Sequence, residues 1–314
     1  MGTIQLKKAI ATLEREGFDV QVIEGAVTEA DHPRNLDTAD DNCLVFYIGD
    51  DEKQVKHLNN CILLCSRQFP GVNPGITQVI IDEPKLAFYI LAQAFAPPRP
   101  VQGIHPTSII HPDAEIHPTA HIGPFCQIEE CKIGENTIIQ SNIKVFAKTE
   151  IGRDVVVEAN TCIGAFGLGW AWGKDGKMWV MPQFGGTIIG DDCFIGTNVT
   201  IARGSLQDTI IENGCKIAHG TKIGHNCHIG EMTHIANGTA IAGSTNIGKR
   251  CFIGTGACFR PAVTIGNDVV VGVGAAVIGT FEEDDIILTG VPATARKRDG
   301  RILAGLPKPR KTGE

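Results

Sequence analysis

From Ile104 onward an aliphatic residue returns at every sixth position, and this period constrains the fold more than any other feature of the chain. Ile104, Ile110, Ile116, Ile122 and Ile128 are followed, after one short step, by Ile133, Ile139, Val145, Ile151, Val157 and Ile163. The register is lost between Ile163 and Ile189 and again between Ile201 and Ile211; it then holds for twelve hexads, from Ile211 to Val277, with Phe259 the one aromatic member. A period of six fits neither the 3.6-residue repeat of an amphipathic helix nor the alternation and hairpin turns of a β-sandwich. It fits a chain that makes one short flat strand and one corner per hexad, so that three hexads close a triangular coil of about eighteen residues. The aliphatic residue then points into the prism, where neighbours above and below bury it, at ~1.5–3 kcal/mol for each buried isoleucine. The 37 glycines and the low aromatic content, 6%, suit such a stack of tight turns around an aliphatic core.

The expected class is therefore mainly β, a parallel β-helix over residues 99–281 preceded by a small α/β domain over residues 1–98. The first segment mixes helix-like stretches (6–16 and 84–96) with apolar strand-like ones (43–48, 61–65 and 78–81). Ala96-Pro97-Pro98-Arg99-Pro100 reads as a stiff linker into the first coil. Residues 282–314 read as a tail, basic and rich in glycine and proline from Arg296. A net charge of −7 argues against nucleic acid as a partner. The charged start has no apolar signal core, and no apolar run is long enough to span a bilayer. Eleven scattered cysteines form no CxxC pair, and those inside the repeats read as small buried residues. Together these features point to a cytoplasmic protein in a reducing compartment.

A β-helix with an aliphatic interior keeps its chemistry on corners and insertions. The insertion 166–186 carries Trp170, Trp172 and Trp179, all the tryptophans of the chain, and either covers a substrate or packs on a neighbouring subunit. The shorter insertion 204–209 reads as a bend in the stack. His219, His225, His228 and His234 fall within sixteen residues. A histidine is the usual base for taking a proton from an attacking amine or hydroxyl, a contribution of ~10²–10⁴-fold. Counting one coil up from His225 reaches Gly243, whose N–H would lie ~4.8 Å above the histidine's strand, where an oxyanion donor is needed. Zinc is the rival use of the same histidines, as in the β-helical carbonic anhydrases; their pattern resembles a pair five residues apart, whereas the spacings here are six, three and six. No metal site is expected.

The hexads are similar to those of the hexapeptide-repeat acyltransferases, and that resemblance implies the left-handed sense of the helix. More specific motifs resemble LpxD, the UDP-3-O-(3-hydroxyacyl)glucosamine N-acyltransferase family of lipid A synthesis. They are Phe166-Gly167, Gly190-Asp191, Ile201-Ala202-Arg203-Gly204-Ser205-Leu206, Asp208-Thr209-Ile210-Ile211, Ile223-Gly224-His225-Asn226 and Ile241-Ala242-Gly243-Ser244-Thr245. Leu44-Val45-Phe46 and Gly103-Ile104-His105-Pro106 extend the likeness forward, so that it covers most of residues 40–265. The resemblance implies a catalytic histidine at His225, an oxyanion glycine at Gly243 and a uracil-stacking aromatic at Phe46. It also implies a 3-hydroxyacyl donor on acyl carrier protein and active sites between the subunits of a homotrimer. The chain departs from the family in four places. Gly49-Asp50-Asp51-Glu52 replaces the segment with the second stacking aromatic, Ala262 stands at a site histidine, and Ala202 stands at a motif aspartate. In place of a helical C-terminal extension, Thr289-Gly290-Val291-Pro292-Ala293 resembles the ending of acetyl-CoA-dependent sugar acetyltransferases.

The expected activity is transfer of an acyl group from acyl-CoA or acyl carrier protein to the amino group of a nucleotide-linked amino sugar, with no bound cofactor. His225 and Gly243 would do the chemistry, while Phe46, Trp170, His219 and Asn226 would hold substrate or orient the imidazole. The nearest alternative is authentic lipid A N-acylation; from other classes come a non-catalytic trimeric scaffold and a zinc hydratase.

Overall fold

The computed structural model describes residues 2–297. The chain divides into two compact units, the first ending at Arg99 and the second beginning at Pro100. The first unit is a five-stranded sheet in the order Gln21–Ile23, Thr77–Ile80, Cys61–Cys65, Cys43–Tyr47, His32–Pro33. The last four strands run parallel and Gln21–Ile23 runs antiparallel at the edge. Helix α1 (Leu6–Arg15) buries Leu6, Ala9 and Leu13, and helix α2 (Pro84–Ala92) buries Ala87 and Leu91, all in one cluster with Leu44, Ile62 and Leu64. Pro84 suits the first turn of α2, where its missing N–H costs no hydrogen bond. Val55, Leu58, Phe69 and Ile76 form a second cluster with Cys43, Val45, Leu63 and Cys65. Strands covered on both faces need no polar alternation, which explains the unbroken apolar runs of the two central strands.

The second unit is a left-handed parallel β-helix. Three sheets of eleven, nine and eight strands form its faces, called here face one (beginning at Gly103–Ile104), face two (Ile109–Ile110) and face three (Glu115–Ile116). Each strand is two to four residues long and pairs in parallel with its counterpart one coil on, as in Val145↔Ile163, Ile201↔Ile223 and Ile223↔Ile241. The hexad residues from Ile122 to Val277 make one continuous buried core. At the open end there is no coil below, and Ile104 remains 48% exposed.

Two further positions of the hexad complete the stack. On several coils the small residue two before the inward aliphatic one donates to a corner carbonyl one coil on. Thr137 reaches Gly152 (2.8 Å), Thr161 reaches Gly196 (2.7 Å), and the thiols of Cys215 and Cys227 reach Gly230 and Ala242 (each 3.2 Å). The repeat cysteines are thus weak hydrogen-bond donors as well as small buried residues. On most coils beyond the first, the residue three after the inward one turns the corner with positive φ, as at Asn142, Asn160, Asn198 and Asn226, the residue type that best tolerates this region after glycine.

The β-helix runs further than Phe281. Ile286–Thr289 adds a parallel strand beside Val270–Val271, and Thr294–Lys297 returns antiparallel against it. Ile286 and Leu288 are buried in the same core. A tail starting at 282 is therefore corrected to a closing coil through residue 297; the glycine- and proline-rich segment beyond lies outside the described residues.

Candidate active site

The corner between faces two and three gathers the groups that matter. Register places Ala147, Ala165, Arg203, His225 and Gly243 in one slot on successive coils, because the inward residues two before them pair in series. His225 does not enter the prism: Ile223 and Cys227 take the inward positions, and the imidazole stands half-buried at the corner. It lies directly against Gly243. A Cβ added to that glycine would sit 2.7 Å from His225 Nε2 and 2.8 Å from Cε1. A second glycine, Gly167 of the long insertion, also touches the histidine: a Cβ there would meet His225 Cβ at 2.7 Å and Cδ2 at 2.8 Å. The ring therefore occupies the space of two missing side chains.

The backbone supports this arrangement. Ser244 N–H donates to the His225 carbonyl (2.7 Å), and Ala262 N–H donates to the Gly243 carbonyl (3.0 Å). Among the described residues the Gly243 N–H donates to no backbone carbonyl. His225 Nδ1 is buried and unpartnered among the described residues. An imidazole beside a free peptide N–H is the pairing that acyl transfer needs: a proton acceptor, and a donor for negative charge on the carbonyl oxygen.

Both insertions are built around this corner. The long insertion leaves the stack at Gly164 (φ +83°) and rises as an antiparallel hairpin, Trp170–Trp172 against Met178–Val180. It returns through Phe184 and Gly185, whose N–H groups donate to the Ser205 carbonyl (2.7 and 3.2 Å). Gly186 N–H donates to Asp208 Oδ1 (2.6 Å), and its carbonyl accepts from Gly204 and Thr209. The short insertion is thus a receptor for the returning chain and not a mere bend. Asn226 holds it: its Oδ1 accepts from Ser205 N–H (2.6 Å), and its Nδ2 donates to Ser205 Oγ (2.8 Å). The amide beside His225 is therefore engaged in the scaffold, with Ser205 as its partner.

The other histidines lie elsewhere. His219 is at the preceding corner, between faces one and two. Its Nδ1 accepts from Thr197 N–H (3.0 Å) and lies 3.3 Å from Glu158. These contacts hold His219 at its own corner, and it does not orient His225. His228 stands on face three with Nε2 2.9 Å from Glu212, and His234 stacks on Phe252 on face one, 5.1 Å between centroids. Four histidines spread over two corners and two faces do not converge, and among the described residues no group of three or more His, Cys, Asp or Glu is placed to hold a metal.

Phe46 lies in the first unit with its ring 4.9 Å from Phe88 of α2, partly buried in the helix-side cluster. One of its faces is used by the core. Trp170 is 51% exposed and meets Trp172 edge-on (5.5 Å), on the hairpin that rises from Gly167. Arg203, 6% exposed and one coil below His225, was not singled out by residue type or spacing as part of the site; its contacts join segments with no common period.

The family pattern described as the hexapeptide repeat of succinyl-transferase matches residues 186–221 and 245–280. UDP-3-O-acylglucosamine N-acyltransferase of Coxiella burnetii is 36% identical over 181 residues, covering 51% of this chain and 53% of that protein. The enzyme of the same name from Paracidovorax citrulli is 46% identical over 120 residues, covering 38% and 35%. The chain thus spans about half, or less, of the length of the curated relatives it matches. Among solved structures, UDP-N-acetylglucosamine O-acyltransferase (LpxA) of Moraxella catarrhalis superposes with a TM-score of 0.54 at 26% identity, over 62% of this chain and 73% of that one. LpxA of Acinetobacter baumannii gives 0.56 at 24% identity, which speaks for the fold alone. By sequence this chain is similar to the UDP-3-O-acylglucosamine N-acyltransferases, and by fold it is a hexapeptide-repeat protein built on a left-handed parallel β-helix.

Proposed function

We propose that this protein is an N-acyltransferase that moves an acyl group from a thioester, acyl-CoA or acyl carrier protein, to the amino group of a nucleotide-linked amino sugar. The observation that carries the reading is the imidazole of His225 packed flat on Gly243, beside that residue's unengaged N–H. In the reaction the sugar amine attacks the thioester carbonyl and His225 takes the proton the amine loses. The carbonyl oxygen becomes an oxyanion and accepts from Gly243 N–H. Collapse of the tetrahedral intermediate breaks the C–S bond, and the departing thiolate receives the proton from the imidazolium, which restores the free base. The likeness to UDP-3-O-acylglucosamine N-acyltransferases supports an amine acceptor on a UDP-sugar, in lipid A or a related surface polysaccharide. The ending around Thr289–Ala293 favours a CoA-linked donor.

A homotrimer in the cytoplasm completes the proposal. Face one carries Ile138, Val156 and Phe194 at outward positions of three consecutive coils, an apolar patch that a second copy of the chain would cover, before Lys216 and His234 interrupt it. Eleven free cysteines suit a reducing compartment. No helix among the described residues is long and apolar enough to cross a membrane.

The test is thiol release from acyl-CoA and acyl carrier protein donors with a panel of amino-sugar nucleotides. His225→Ala should lower kcat by at least ~10²-fold with the circular dichroism of the β-helix unchanged. A folded variant that turns over like the wild type removes His225 from the chemistry, and no release with any donor removes the activity.

A further inference from the structure

We propose that Arg203 is a positioning residue, which holds the long insertion against His225 by tying together three separate segments beneath it. This rests on the reading of His225 as the base. The guanidinium donates through Nε to the Gly185 carbonyl (2.8 Å), where the insertion returns, and through Nη2 to the Ala147 carbonyl (2.6 Å), two coils down. The same group lies over the ring of Phe166, 5.5 Å from its centroid, where the insertion leaves. Its own N–H donates to the Ala165 carbonyl (2.8 Å). The residue after Phe166 is Gly167, the glycine in contact with the imidazole.

The chemistry of the residue supports a placed role and not a chance burial. Arg203 is 6% exposed, and among the described residues no carboxylate is in ion-pair contact with it, although its charge reaches Glu129, whose own ion-pair partner is Lys144. A buried cation satisfied by backbone carbonyls and one aromatic face is a costly arrangement, one that needs a planar group with donors in fixed directions. Lysine presents a point charge and cannot span two carbonyls and a ring in one plane. The contacts form a closed circuit. Asn226 holds Ser205, Ser205 holds the returning chain, Arg203 joins that chain to the departing one, and the departing chain lies on His225. Arg203 is the one member that touches both ends of the insertion.

All three tryptophans of the chain are on this insertion, so tryptophan fluorescence reports its order and nothing else. Arg203→Met and Arg203→Lys should each lower kcat ~10-fold or more with a smaller change in KM, as expected when a reacting group is displaced by a fraction of an ångström. Tryptophan anisotropy should fall and acrylamide quenching should rise in the same variants. Millimolar guanidinium should restore part of the kcat of Arg203→Ala. Should the arginine variants not fold, Phe166→Leu, at a ring 65% exposed, should show the same fluorescence change with a smaller loss of kcat. Native kcat in folded Arg203→Met overturns the proposal, and so does a lowered kcat with unchanged anisotropy and quenching, which would mean that Arg203 does not act through the insertion. If His225→Ala keeps wild-type turnover the reading of the base fails instead, while the fluorescence still judges the tether.

Discussion

One methyl group at position 243 sets the imidazole against the scaffold. On the native backbone the new Cβ of Gly243→Ala lies 2.7 Å from His225 Nε2, 2.8 Å from Cε1 and 3.0 Å from Cδ2. Relaxed carbon contacts lie at roughly 3.5–4.0 Å, so something must move by about 1 Å. The backbone is the less mobile partner. Ser244 N–H is bonded to the His225 carbonyl and the Gly243 carbonyl to Ala262 N–H. Gly243 does not have a positive φ, so alanine itself is not strained there. The ring moves, away from the Gly243 N–H with which it shares the reaction. A displacement of that size costs on the order of 10²-fold in kcat, and overpacking costs roughly 1–3 kcal/mol of stability. The second cost belongs to the contact with His225 and should vanish in the His225→Ala background, where the methyl group meets no ring. A double-mutant cycle by urea unfolding should therefore return a coupling of about 1–3 kcal/mol, alongside the thiol-release kcat of the single variant. Equal destabilisation in both backgrounds would show that the methyl group meets something else. A native kcat would show that the position of the ring does not set the rate.

Two further expectations concern the stack itself. Among the described residues the hydroxyl of Thr187 is buried without a partner, whereas that of Thr161 donates to the Gly196 carbonyl (2.7 Å) and accepts from Val199 N–H (3.2 Å). Thr187→Val should be neutral or stabilising, and Thr161→Val should cost about 1–3 kcal/mol, because it strands two buried backbone groups; a larger loss at 187 than at 161 in urea melts contradicts the assignment. For pH, burial pushes the Glu212 carboxyl up, but the His228 hydrogen bond and the Glu231 N–H outweigh it and hold it below the usual glutamate value. Its stabilisation is in place above the ordinary carboxylate range and is lost as pH falls through the lowered folded value. Glu212→Gln should flatten the acid limb of the Tm profile; an unchanged limb refutes the assignment.

The interior was legible because the same environment recurs: Ile122, Ile195 and Ile253 meet near-identical neighbours and leave the same mark every sixth residue. The closing coil was not, because Ile286 and Leu288 follow Phe281 off register and bury by alternation within one four-residue strand. His225 and Gly243 could be paired by counting eighteen, since no insertion separates them. His219 was grouped with His225 because they share a hexad slot. That slot recurs at each of three corners, so six residues lead to the next corner and only eighteen lead back. Phe46 shows another limit. In a strand buried on both faces sequence does not say which face meets the helices, and this ring turned to Phe88. Arg203 and the short insertion were opaque for a different reason: Gly185, Ala147 and Ser205 take part through backbone carbonyls, which carry no sequence signal.

The glycines divide in a way that separates scaffold from site. At the corner between faces three and one, Gly134, Gly152, Gly230 and Gly248 each lie so close to the next coil that a Cβ would come within 3.0 Å of its backbone. Each sits immediately after its inward isoleucine, where on these coils the backbone of the next coil fills the space of a side chain. Gly243 and Gly167 follow neither rule. Gly243 is one position further along its hexad, Gly167 lies outside the hexads, and the clash at both is with one side chain, His225. Two glycines that yield only to an imidazole, one from a rigid coil and one from an insertion tied down by a buried arginine, have no part in stacking. The nearest atoms to both belong to that one side chain, so His225→Ala should ease alanine substitution at both positions, which urea melts of the double variants would show.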